Sequence, residues 1–161
     1  MSTRSKMDGL SRWMLAGLAL IALSGCMSMP KGERFYQIQG EAGKSILYVY
    51  RDRGVVGHGL ELQVIMNDEP LATLPVGTFH AQLVEPGQYA FKARARRGEE
   101  PVLSGVQPSQ LEGNTLLQLD VKEAHTYYVI VEEGLGYVLL EPVPAVKALS
   151  DLKSLRLAPA P

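Results

Sequence analysis

Apolar and polar residues alternate in short bursts along most of this chain, and the bursts predict strands. Leu60, Leu62, Val64 and Met66 fall on one side of an extended segment, with Glu61 and Gln63 on the other. Tyr89, Phe91, Ala93 and Ala95 alternate in the same way with Lys92, Arg94 and Arg96. Successive side chains of a strand point to opposite faces, so each segment reads as a strand with one face covered. Ser45 to Arg51 differs, because Ile46 to Tyr50 is apolar or aromatic at every position and predicts a strand apolar on both faces. Thr78 to Val84 places Phe79, Ala81 and Leu83 inward and Thr78, His80 and Gln82 outward. Leu71 to Leu74 is a short return strand, and Thr115 to Val121, Thr126 to Glu132 and Tyr137 to Leu140 complete the set.

Turn residues separate these segments. Asn67-Asp68-Glu69-Pro70, Pro75-Val76-Gly77, Pro86-Gly87 and Gly134-Leu135-Gly136 each punctuate two strands. Arg97 to Gly113 carries Gly98, Pro101, Gly105, Pro108 and Gly113 and reads as a long surface loop. After Pro142 and Pro144 the period lengthens. Ala145, Ala148, Leu149, Leu152 and Leu155 share a helical stripe opposite Lys147, Ser150, Asp151 and Ser154. The expected fold is mainly β: an antiparallel β-sandwich or small barrel, with a short C-terminal amphipathic helix packed on the sheet.

The first 25 residues follow another logic. A basic stretch with Arg4, Lys6 and Arg12 precedes the apolar run Trp13 to Leu23, and the small pair Ser24-Gly25 follows. That is the layout of a secretory signal peptide. The run is about 11 residues long where a membrane-crossing helix needs about 20. Leu23-Ser24-Gly25-Cys26 resembles the lipobox of bacterial lipoproteins. The resemblance implies cleavage before Cys26, a diacylglyceryl thioether on its sulfur and acylation of the new amine, palmitate being a typical chain. Each buried methylene contributes roughly 0.8 kcal/mol, so two or three chains hold firmly where one does not. The expected organisation is a signal peptide over 1–25, a lipidated N-terminus and tether over 26–44, and the β-domain over 45–161. Met27 is not the aspartate that, by the same resemblance, would retain a lipoprotein in the inner membrane. The expected location is the periplasmic face of the outer membrane.

A second resemblance lies in the domain. Leu47-Tyr48-Val49-Tyr50-Arg51, Val64 to Leu74, Gly77-Thr78-Phe79 and Val84-Glu85-Pro86-Gly87-Gln88-Tyr89 come in the order of a tyrosine-rich strand ending in Arg, a strand-turn-Leu unit, Gly-x-aromatic and Val-x-Pro-Gly. This order resembles an uncharacterised lipoprotein domain family of Gram-negative bacteria, over about Ser45 to Glu133. Asn67-Asp68-Glu69 stands where such domains often have Asp-Gly-Lys. The resemblance implies a periplasmic β-sandwich and carries over no catalytic residues.

Composition narrows the function classes. A leader holding Arg4, Lys6, Arg12 and Asp8, once removed, leaves 13 basic and 16 acidic residues and a net charge of −3. A nucleic-acid partner would call for a strongly basic face, so none is expected. With 46% hydrophobic residues the chain can build a core, and its length suits one domain. The single cysteine has no disulfide partner, which fits a thiol consumed by acylation. His58, His80 and His125 show no ligand-like spacing, so no metal or cofactor is expected. Ser45, Ser104, Ser109, Ser150 and Ser154 lack a nucleophile-elbow context. Glu99-Glu100 and Glu132-Glu133 are adjacent pairs on opposite faces or in loops and read as solvated charges.

Lys92, Arg94, Arg96 and Arg97 concentrate positive charge on one strand face and its exit. They are either a solvated, cross-strand-paired face, with acids such as Asp120 opposite, or a patch for an anionic envelope component. The function expected from the sequence is a lipid-anchored, non-enzymatic module that binds or scaffolds another envelope component. The alternative is an envelope hydrolase or transferase whose site assembles from dispersed residues. A third reading docks the C-terminal helix on a partner.

Overall fold

Strand β1 (Ser45–Arg51) offers apolar side chains to both sides, and the fold packs both. In the computed structural model residues 32–54, 61–96, 112–134 and 137–159 are described, with backbone alone for 95–96, 112–116, 134 and 137. After β1 come β2 (Glu61–Met66), β3 (Glu69–Leu74), β4 (Thr78–Val84), β5 (Gly87–Arg96), β6 (Glu112–Val121), β7 (Thr126–Gly134) and β8 (Tyr137–Pro142). A helix, α1 (Ala145–Leu152), and a two-residue strand, β9 (Arg156–Leu157), close the order.

The strands form two open sheets, one in the order β8-β7-β1-β4-β9 and the other β3-β2-β5-β6. Neither closes into a barrel, and the architecture is sandwich-like. Most pairings are antiparallel, as expected from the short turns, but β1 pairs with β7 in parallel and so does β4 with β9. Parallel neighbours need a crossover connection. Here the chain between β1 and β7 supplies it by building the second sheet on the way.

The core lies in two layers. Leu47, Val49, Val129, Val131, Val138 and Leu140 of the first sheet meet Leu62, Val64, Leu74, Phe91 and Ala93 of the second. On the outer face of the first sheet, Tyr48, Tyr50, Phe79, Tyr128 and Ile130 are buried under Ala148, Leu152 and Leu155. The helix stripe read from the sequence is therefore covered by the protein's own sheet. Fully burying a Leu of this kind contributes about 1.5–3 kcal/mol. Ala145, at the start of the stripe, is exposed.

The segment expected as a tether is described from Gly32 onward, and there it lies along the same outer face. Phe35 packs edge-on against Tyr48 and Phe79, with centroids 5.7 and 5.4 Å apart. The Ile38 amide donates to the Tyr48 hydroxyl at 2.9 Å, and the Leu157 amide donates to the Glu33 carbonyl at 2.8 Å. A Cβ on Gly32 would run into the Leu157 carbonyl, so the close approach requires glycine there. Residues 32–44 act as a strap. With α1 they make a third layer.

The strap changes the outward side of β4. Thr78, expected outward, is 0% exposed, and its hydroxyl donates to the Pro75 carbonyl at 2.7 Å. His80 and Gln82 pair in register with Val49 and Leu47, so they share the inter-sheet face of β1. Phe79 and Ala81 pack instead under the strap and helix. Both faces of this strand are covered, and a two-state inside/outside pattern had no room for that.

Candidate binding face

Among the described residues, nothing covers one face of the second sheet. On β5 the outward residues are Gln88, Ala90, Lys92 and Arg94, and on β6 they are Gln118 and Asp120. Gln88 pairs with Asp120 and Ala90 with Gln118 across the ladder. Small Ala90 stands among long polar neighbours, and a depression of about 360 Å³ opens there, lined by Asn67, Gln88, Tyr89, Ala90, Gln118, Leu119 and Asp120. Three amides and one carboxylate line it, the amides donating and accepting hydrogen bonds and the carboxylate accepting them.

Local sequence fixes this site. Asn67 and Asp68 have φ of 51° and 65°, the two positive values that a two-residue hairpin loop requires. Asn and Asp tolerate that conformation better than other side-chain-bearing residues. Asn67 then bolts the hairpin to β5: its amide donates to the Ala90 carbonyl at 2.8 Å, and its Oδ1 accepts from the Ala90 amide at 2.9 Å. Asp68 Oδ1 accepts from Lys92 Nζ at 2.7 Å. Beneath, the Tyr89 hydroxyl donates to the Glu85 carbonyl at 2.9 Å.

The basic patch expected on β5 is brought together only in part. Lys92 is paired with Asp68 rather than with Asp120. Arg94 Nε donates to Gln63 Oε1 at 2.7 Å, a partner that orients the guanidinium without neutralising it. Arg96 lies at the end of β5 opposite Glu61, its side chain outside the described residues, as is Arg97. Cys26, His58, Glu99, Glu100, Ser104 and Ser109 also lie outside them.

The other reactive side chains are engaged in holding the fold. Buried Ser45 donates through Oγ to the Lys122 carbonyl and accepts from the His125 amide at 3.0 Å, which ties the β6–β7 turn to the start of β1. His125 Nδ1 lies 2.7 Å from the Glu123 carbonyl. His80 is half-buried beside Gln82, and burial lowers its pKa below the usual histidine value, the Gln82 contact opposing this in part. Among the described residues no three His, Cys, Asp or Glu side chains gather as a metal site would require.

One pair corrects the sequence reading. Glu133, expected as a solvated charge, has its side chain only 7% exposed and bonds Arg51 Nη2 at 2.8 Å, with the Arg51 side chain 4% exposed. Arg51 also donates through Nη1 to the Leu74 carbonyl at 3.2 Å, so the pair joins both sheets. Burial pulls the Arg51 pKa down while Glu133 pushes it back up. Strand parity held the signal: Arg51 falls in step with Leu47 and Val49, and Glu133 with Val129 and Val131. A second network on the outer face links the Tyr50 hydroxyl and Lys147 Nζ to the same Asp151 oxygen, each at 2.9 Å. Burial first, then the Asp151 contact, raises the Tyr50 pKa well above its ordinary value. No protein-family model matches the chain, and neither a curated protein nor a solved structure matches it.

Proposed function

We propose that this chain is a lipid-anchored lipoprotein of a bacterial cell envelope whose β-sandwich is a non-enzymatic binding or scaffolding module. The observation that carries the reading is Leu23-Ser24-Gly25-Cys26 at the end of a basic and apolar leader. The lone cysteine supports it, because acylation gives that thiol a role outside the fold. Packing supports the binding half. One sheet is covered on both faces, while the other presents the polar depression at Asn67, Gln88, Ala90, Gln118 and Asp120. By the same reading the protein sits on the periplasmic face of the outer membrane, with Met27 after the acylated residue.

The experiment is expression of the full chain and of Cys26→Ser in a Gram-negative host fed a clickable palmitate analogue. Label and membrane association in the native chain, both lost in the variant, are expected. Equal labelling, or unchanged membrane retention of the variant, would overturn the anchor. The binding half is tested with Ala90→Arg, which fills the depression. An envelope component that copurifies with the acylated native protein should be lost from this variant while the melting temperature stays unchanged. Retention of that component would move the binding site elsewhere.

A further inference from the structure

The strap sets how the domain can sit on a membrane. It runs antiparallel to β1, entering at Gly32 beside β9 and leaving at Lys44 beside the start of β1. The entry end therefore holds Arg51, Thr78 and Arg156, and the far end holds Ser45, Val84 and the Lys122–His125 turn. Five residues lie between Cys26 and Gly32, and the six Cα–Cα steps that join them span at most about 20 Å when fully extended. That is no longer than β1 itself, whose seven residues span about 23 Å.

The same end is where unpaired cations collect. The Arg34 and Arg156 backbones are bridged, and Arg156 Nη1 donates to the Gly32 carbonyl at 3.4 Å. Arg53 Nη2 donates to the Ser154 carbonyl at 2.7 Å, next to exposed Lys153, and its stem covers Gly77. Gly77 in turn accepts the Arg156 amide at 3.1 Å. Among the described residues none of these four cations has an acid within ion-pair distance. Glu33, Asp52 and Asp151 are the acids on the same segments, Asp151 being paired with Lys147, and Glu132 lies on β7, three strands over from β9. Tyr36, 44% exposed, follows on the strap, and tyrosine favours the headgroup region, where its ring and hydroxyl meet different surroundings.

We infer that the Arg34, Arg53, Lys153 and Arg156 end of the sandwich is the membrane-apposed surface, resting on the anionic phospholipid headgroups of the leaflet that holds the acyl chains. This rests on the lipid-anchor reading and adds an orientation to it. The leash brings these charges to the headgroups, and a screening length of about 8 Å at physiological salt makes their contribution depend on that closeness. The depression at Asn67, Gln88 and Asp120 lies toward the far end, because Gly87 and Val121 pair next to the β4–β5 turn. The domain thus stands on its basic end and holds the polar depression away from the bilayer.

Acylation consumes Cys26, so an introduced cysteine is the reactive thiol of the full-length acylated protein. Ser154→Cys at the basic end and Glu123→Cys at the far end are each labelled with a fluorophore. The proteins are placed in protein-free vesicles of mixed phosphatidylglycerol and phosphatidylcholine carrying headgroup nitroxides. Quenching several-fold stronger at 154 than at 123 is expected. Adding Arg34→Glu and Lys153→Glu should bring the ratio toward one while the acyl mass is unchanged. Equal or reversed quenching in a protein whose mass carries the acyl chains would overturn the orientation and leave the anchor standing. A product without acyl mass would overturn both. A ratio unmoved by the charge reversals would overturn the headgroup contact.

Discussion

β1 and β5 lie at the centre of one sheet each, yet they are built on different rules. β1 is buried or nearly so from Ser45 to Arg51, with Leu47 and Val49 facing the other sheet and Tyr48 and Tyr50 facing the strap and helix. β5 buries Phe91 and Ala93 and turns Lys92 and Arg94 to solvent. A strand covered on both faces can be apolar throughout, as β1 is, whereas a strand covered on one face alternates. β4 alternates although both its faces are covered, because Thr78 is hydrogen-bonded and His80 and Gln82 are only half-buried. The difference teaches where the third layer lies. It also separates the two sheets by task, since substitutions on the covered sheet should unfold the protein and those on the open face should change only what the surface meets.

The largest break should come inside the sandwich. Glu133→Ala removes a carboxylate bonded to buried Arg51 and is expected to cost about 3–5 kcal/mol in urea unfolding. Arg51→Met with Glu133→Leu should recover most of that loss, because two apolar groups leave no orphaned charge. Next, Leu152→Ala under the first sheet should cost about 2–5 kcal/mol, while Gln118→Ala on the open face of the second should stay within about 0.5 kcal/mol. Similar losses at the two positions would contradict the layered account. Tyr50→Phe removes one hydrogen bond to Asp151, which keeps Lys147, and should cost about 0.5–1.5 kcal/mol.

The smallest effect is a pH dependence. Burial lowers the folded pKa of His80 below that of the unfolded chain, about 6.5, so the unfolded state takes up the proton first as pH falls. The stability linked to this group is complete above about pH 6.5 and is lost as pH falls from there toward the folded pKa. His80→Gln should flatten that part of the stability profile, measured by thermal melts across the range. An unchanged slope would place the titration on another group.

Much of this layout was legible from period alone. The alternation in β2 and β5, the two-faced apolar run of β1 and the stripe of α1 are local patterns, and each became the element expected. Three features were not local. The strap looks like a tether because Phe35 and Ile38 are isolated apolar residues, and their partners Tyr48 and Phe79 lie on strands beyond it. Thr78 looks outward because one covered face was assumed where two exist. Lys92 and Asp68 meet because β2 pairs with β5, a long-range register that composition does not specify. The depression at Ala90 had no sequence signature, since one small residue among glutamines marks a site only when the ladder sets it opposite Gln118.

Whether an acyl anchor at Cys26 holds the sandwich decides the meaning of its two ends. The direct measurement is the intact mass of the protein extracted from its native membrane. The account predicts a chain beginning at Cys26 and carrying a diacylglyceryl group with a further acyl chain. A full-length chain with its leader and a free thiol would contradict it.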